Sequence, residues 1–230
     1  GGTVVEEGGG SAEALERLSV ITASISASDF RQRQDALSEL TDLMLSQHKA
    51  CSPRTSMLVD LFVSRFADNN PKVAGAALQG LNKLVPSYAP SLEPCANVLV
   101  PAVAGALANS SMQIRALASS LLDSLSSSLD PASLAAPLAS ACDFGNQRGK
   151  AVLVDKIKRL VQGVGERKPQ LLTKTLVPLA VKLLDEHKAD VKAANVLLVQ
   201  ELYTVLGPSL FSPSLRLPER ALSRFRELTA

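Results

Sequence analysis

The side chains that most often carry out chemistry are few in this sequence and far apart. His48 and His187 stand alone, with no second histidine or cysteine at metal-ligand spacing, which argues against a zinc site. Cys51, Cys95 and Cys142 are separated by more than forty residues, too far for a CxxC metal or redox pair, and read as reduced, small core residues. No phosphate-binding glycine loop, no GxSxG and no Cys–His or carboxylate pair stands out from ordinary helix surface. Neither an enzyme nor a cofactor or metal is expected. What does recur is a cation just after a turn: Arg31 and Arg33, Lys72, Arg115, Arg148 and Lys150, then Lys188 and Lys192. The helix macrodipole favours acids at helix starts, so local stability gives no reason for this pattern. In a chain of net charge +2, such a file along one edge would suit an acidic partner, the alternative being ordinary solvated helix ends. The same small charge argues against nucleic acid or an anionic membrane as the partner.

These cations need elements to hold them in line. The sequence is 46% hydrophobic and 20% charged, a folded composition, and its aromatic content of 3% with no Trp calls for a core of small aliphatic side chains between helices. No run reaches the ~18 apolar residues of a membrane span and no charged-then-apolar leader opens the chain, so a cytosolic setting is expected. Residues 1–11 are glycine-rich and read as a flexible lead-in, with the fold starting near Ala12. From there apolar residues recur at helical spacing, as in Leu15, Leu18, Ile21 and Ile25, or Leu37, Leu40, Leu43 and Met44. Ser52-Pro53, Asn70-Pro71 and Asp130-Pro131 each place a capping side chain before a proline and predict helix starts. Further breaks are expected at Pro86 to Pro90, Asn109 to Ser111, Gly145-Asn146 and Gly163 to Pro169, which gives ten helices of ordinary length.

Self-similarity then settles the architecture. Counting eight and eleven residues on from Val73 reaches Leu81 and Leu84; from Ile114, Leu122 and Leu125; from Gly149, Ile157 and Leu160; from Val191, Val199 and Leu202; from Gln32, Leu40 and Leu43. These five registers are 41, 41, 35 and 42 residues apart, close to the ~40–47 of helix-pair HEAT or armadillo repeats. The expected fold is all-α, an α-solenoid of five HEAT-like pairs in one domain over 12–230. After Gly207-Pro208, a short helix from Pro218 is expected to cap the last pair with Leu222 and Phe225, a partner-binding tail being the alternative. Turns inside the pairs would share one edge, where function is sought. Phe30, a ring at a helix start between Asp29 and Arg31, reads there either as an interface anchor or as a hydrophobic staple.

Asp29-Phe30-Arg31-Gln32-Arg33-Gln34-Asp35-Ala36-Leu37 resembles the "D-aromatic-basic-x-R-x-x-A-L" opening of TOG domains, and Asp68-Asn69-Asn70-Pro71-Lys72-Val73 with Ala77-Leu78 resembles their second turn. Gln147-Arg148-Gly149-Lys150 and Ala189-Asp190-Val191-Lys192 are similar to the fourth and fifth. The resemblance covers residues 12 to about 206, and it implies a non-enzymatic module that lays its turns on αβ-tubulin or the microtubule lattice. The contacts so implied are Phe30 and Arg31, Lys72 and Val73, Arg115, Arg148 and Lys150, and Lys188 and Lys192, with Phe30 in the place usually held by Trp. Phenylalanine offers less area and no N–H donor, and the third turn, Ser110-Ser111-Met112-Gln113, carries little charge. Ser28-Asp29-Phe30, Ser64-Arg65-Phe66, Leu99-Val100-Pro101-Ala102 and Arg167-Lys168-Pro169 resemble the last TOG domain of the crescerin (TOGARAM) family, other TOG arrays being the alternatives. That implies a monomeric module of a longer multi-TOG protein on cytoskeletal and ciliary microtubules. A HEAT scaffold that has lost tubulin binding is the competing expectation.

Overall fold

In a computed structural model, the structure describes residues 7–230, with side chains from residue 12. Its helices are α1 (Glu7–Ile25), α2 (Phe30–Ser46), α3 (His48–Cys51), α4 (Thr55–Val63), α5 (Pro71–Leu92), α6 (Ala96–Leu107), α7 (Met112–Ser128), α8 (Pro131–Phe144), α9 (Lys150–Arg167), α10 (Val177–Lys182), α11 (Ala189–Leu206) and α12 (Glu219–Thr229). No strand occurs among the described residues. Of the lead-in expected over 1–11, residues 1–6 lie outside the described residues, and α1 starts at Glu7, ahead of Ala12.

The five registers fall on five helices: Gln32, Val73, Ile114 and Val191 lie in α2, α5, α7 and α11, and Gly149 immediately precedes α9. All ten leucine, isoleucine and valine positions that the offsets single out, from Leu40 and Leu43 to Val199 and Leu202, are buried. Each such side chain taken from water contributes on the order of 1.5–3 kcal/mol, enough to override poor local propensity. Leu18, Ile21 and Ile25 of α1 are buried as expected, whereas Leu15 is turned outward and Ala14 takes the inner position.

Two compact units are distinguished. One runs to Cys95 and takes in Asn109–Ser128; in it α1 packs on α2, α2 on α5, and α5 on α4 and α7. The other is Ala96–Ala108 with Leu129–Ala230, where α8 packs on α6 and α9, and α11 on α9, α10 and α12. Within it α12 buries Phe225 and Ala221 against α11; Leu222, expected inside, is half-exposed. The three cysteines are free and buried, and burial pushes the Cys142 thiol up to about 12, well outside the range of a reactive thiolate.

Of the boundaries expected at proline and glycine, α8 ends at Phe144 before Gly145 and α9 ends at Arg167, within the expected Gly163 to Pro169 break, while those at Ser52-Pro53 and Pro86 to Pro90 differ. Asn70 and Asp130 do cap α5 and α8, accepting from the N–H groups of Lys72 (2.9 Å) and Ala132 (3.0 Å). Ser52 caps nothing: Ser52–Arg54 is a short 3-10 segment between the single turn of α3 and α4, and the Ser52 hydroxyl lies 3.2 Å from that of Ser91. Pro86 and Pro90 do not end α5, because Val85, Tyr88 and Leu92 are buried and the Tyr88 hydroxyl donates to Met44 O at 2.7 Å. Both prolines face solvent, where a lost N–H bond is tolerated.

Gly163 and Gly165 lie inside α9, upstream of its end at Arg167. A methyl group on Gly165 would come within 2.6 Å of Val205 Cγ1, so glycine here allows close helix approach and does not mark a terminus. Gly165→Ala is expected to lower stability by about 1–3 kcal/mol through overpacking, read as a shift of the urea midpoint.

Candidate partner-binding turns

In the first unit, Asp29 caps α2 by accepting from the Arg31 N–H at 3.0 Å, which starts the helix at Phe30. The Phe30 ring is half-buried, and the exposed Arg31 guanidinium sits 5.8 Å from its centroid. Arg33 turns the other way. Its Nη1 donates to Ala27 O and Ser28 O, both at 2.9 Å, while Nε and Nη2 fork onto the two Asp68 oxygens, also at 2.9 Å. Asp68 further accepts from the Asn70 N–H at 2.9 Å and faces Arg65 Nη1 at 3.5 Å. Burial works to raise the Asp68 carboxyl, but the hydrogen bonds from Arg33 and Asn70, the Arg33 charge and Arg65 outweigh it and hold it below the usual carboxylate range. One guanidinium thus ties the first turn to the second.

Asn70 fixes the start of α5 and leaves Lys72 exposed, with Val73 wholly buried beneath it. In the third turn Asn109 accepts from the Ser111 N–H at 2.8 Å, and Arg115 Nη1 donates to Asn109 O and Ser110 O, both at 2.8 Å. Those carbonyls lie six and five residues back, the same offsets that Arg33 uses. Met112, beside them, is 76% exposed.

In the second unit, Asn146 accepts from the Arg148 N–H at 2.8 Å, and Arg148 Nη1 donates to Ala108 O at 3.2 Å from an otherwise exposed side chain. Lys150 points inward, is only 7% exposed, and pairs with Glu186, which Gln147 also reaches. The Lys150 hydrogen bond, opposed by burial and helped by Gln147, the Lys150 charge and His187, keeps the Glu186 carboxyl below its ordinary value. Lys182 pairs with Asp143. Lys188, Lys192 and His187 in the fifth turn are exposed.

Two of the expected contact residues therefore face inward. Val73 belongs to the core because the i, i+4 stripe of α5 starts there, with Ala77, Leu81 and Val85 following. Lys150 is held by Glu186. Local stability does account for part of the cation file: Arg33, Arg115 and Lys150 serve turn carbonyls or a neighbouring carboxylate, an outlet that the macrodipole argument overlooks. Arg31, Lys72, Arg148, Lys188 and Lys192 remain on the outside. The residue that spacing did not single out is Phe144, at the end of α8, which is 84% exposed; its signal in the sequence is a ring between Asp143 and Gly145 at a break.

No family model matches the chain. Over 228 residues, 95% of its length, it is 26% identical to TOG array regulator of axonemal microtubules protein 1 of Mus musculus and 25% identical to that of Homo sapiens, and it spans 13% of the length of each. A solved structure from work on how crescerin uses a TOG domain array to regulate microtubules in the primary cilium superposes with a TM-score of 0.69 at 18% identity, covering 92% of this chain and 88% of that one. Another, from work on TOG-tubulin binding specificity, gives 0.70 at 15% identity, covering 92% and 81%. A TOG domain from C. elegans Zyg9 gives 0.69 at 16%, covering 91% and 79%. These likenesses show the fold. In sequence pattern and in backbone, this chain is similar to HEAT-repeat TOG domains, those of the crescerin family among them.

Proposed function

We propose that this chain binds αβ-tubulin, as free dimer or lattice, through the turns within its helix pairs, without catalysis and without a cofactor, as one module of a longer microtubule-regulating array in the cilium. The observation that carries this reading is the outward set of cations in the turns of both units, Arg31 and Lys72 in one and Arg148, Lys188 and Lys192 in the other, in a chain otherwise near neutrality. Arg115 contributes from a half-buried side chain anchored on its own turn, and Phe30 from the first turn. Exposed cations that meet an acidic surface act over a Debye length of about 8–10 Å at physiological salt, so they recruit and orient a partner more than they clamp it. Linked copies along an array convert such weak contacts into avidity. The length that the relatives have beyond this chain leaves room for such an array. A ciliary setting is supported by the relatives' names, which speak of axonemal microtubules and the primary cilium.

The test is co-elution of the isolated chain with purified tubulin on size exclusion across a salt series. Complex at about 50 mM salt that dissociates by about 300 mM is the expected result. Free migration of both proteins at the lowest salt would leave a HEAT scaffold that works through another face.

A further inference from the structure

Resting on the tubulin reading, we infer that Phe144, and not Phe30, is the principal apolar anchor of this chain, seating in an apolar recess of an acidic tubulin surface. Among the described residues Phe144 is the most exposed large apolar side chain, at 84%, whereas Phe30 is half-buried and has Arg31 over its ring. A ring already spent on local contacts has less area left to bury on a partner, and buried aromatics dominate interface energetics.

The fourth turn is built to present that ring. At Gly145, which ends α8, a side chain would run into the Ala141 carbonyl oxygen, so only glycine lets the backbone leave the helix this tightly with residue 144 on the outside. Asn146 then accepts from the Arg148 N–H and fixes the far side of the turn. The charges around the ring also suit an acidic partner. Asp143 is neutralised by Lys182, Glu186 by Lys150, and Arg148 is exposed four residues beyond the ring. What remains in the turn is an apolar tip and one exposed cation, Arg148, a combination that complements a recess rimmed by carboxylates.

The experiment measures the Kd for purified tubulin of the wild type, Phe144→Ala, Phe144→Leu and Phe30→Ala, each at several salt concentrations. Phe144→Ala is expected to weaken binding about 10- to 50-fold and Phe30→Ala less than about 5-fold, with Phe144→Leu recovering part of the loss. The slope of log Kd against log salt stays that of the wild type in Phe144→Ala, because no charge has been removed. Melting curves of Phe144→Ala match the wild type, since the ring makes no core contact. Unchanged affinity in Phe144→Ala, or a larger loss in Phe30→Ala, overturns this inference while the tubulin reading stands. Absence of binding by the wild type at low salt overturns both.

Discussion

Arg31→Glu combined with Lys72→Glu is expected to weaken tubulin binding about 100-fold at 0.1 M salt, with the loss shrinking as salt rises. Both side chains are exposed, both belong to the same compact unit, and each follows an Asx cap that holds its backbone in place. Each reversal removes an attraction and adds a repulsion, about 1–1.5 kcal/mol apiece for partly screened charges, and every 1.4 kcal/mol is tenfold in affinity. The caps use backbone N–H groups, which glutamate also has, and an acid in the first turn of a helix is favoured by its dipole. The fold should therefore survive, with an unchanged thermal midpoint. Binding by this variant within a few-fold of the wild type at low salt would place the contact surface elsewhere. Arg33 would be a poor choice for the same test, because its guanidinium is taken up by Ala27, Ser28 and Asp68.

Asp68→Ala carries the largest expected effect on stability. The Asp68 carboxylate, 3% exposed, receives both arms of Arg33, the Asn70 N–H and Arg65. Its removal leaves two cations and a turn N–H without their acceptor, and stranding the partner of a buried ion pair costs far more than the pair contributes. A fall of about 5–10 °C in the midpoint of the unit that contains it is expected by calorimetry. The pH dependence has a definite sign. A carboxyl held below its unfolded value of about 3.9 contributes fully above that pH and loses its contribution as pH falls through the folded value. Glu186, held low by Lys150 in the other unit, behaves in the same way around its own unfolded value of about 4.3. The midpoint should thus be flat above about pH 5 and fall below pH 4, with a shallower acid decline in Asp68→Asn. An equally steep decline in Asp68→Asn would remove Asp68 from the account.

The period of apolar residues in this sequence determined the helices and the buried positions along them. Leu81, Leu122, Ile157 and Val199 all occupy the inner positions that counting assigns them. Two of the expected caps were legible for the same reason, since a side chain that bonds an N–H two residues on is a local device, as at Asn70 and Asp130. The broken opening of the second pair and the passage of α5 through Pro86 and Pro90 were not legible, because buried neighbours outweighed the local rule. At the candidate site the division is sharper still. That Arg31 and Lys72 face outward while Arg33 and Lys150 do not depends on acceptors 35 and 36 residues away, Asp68 and Glu186. Val73, expected at the contact surface, is packed into the core, and Phe144, which spacing did not single out, is left in solvent beyond the tight exit at Gly145. Spacing along one helix reports the direction in which a side chain leaves the backbone; only tertiary packing supplies, or withholds, the partner it meets there.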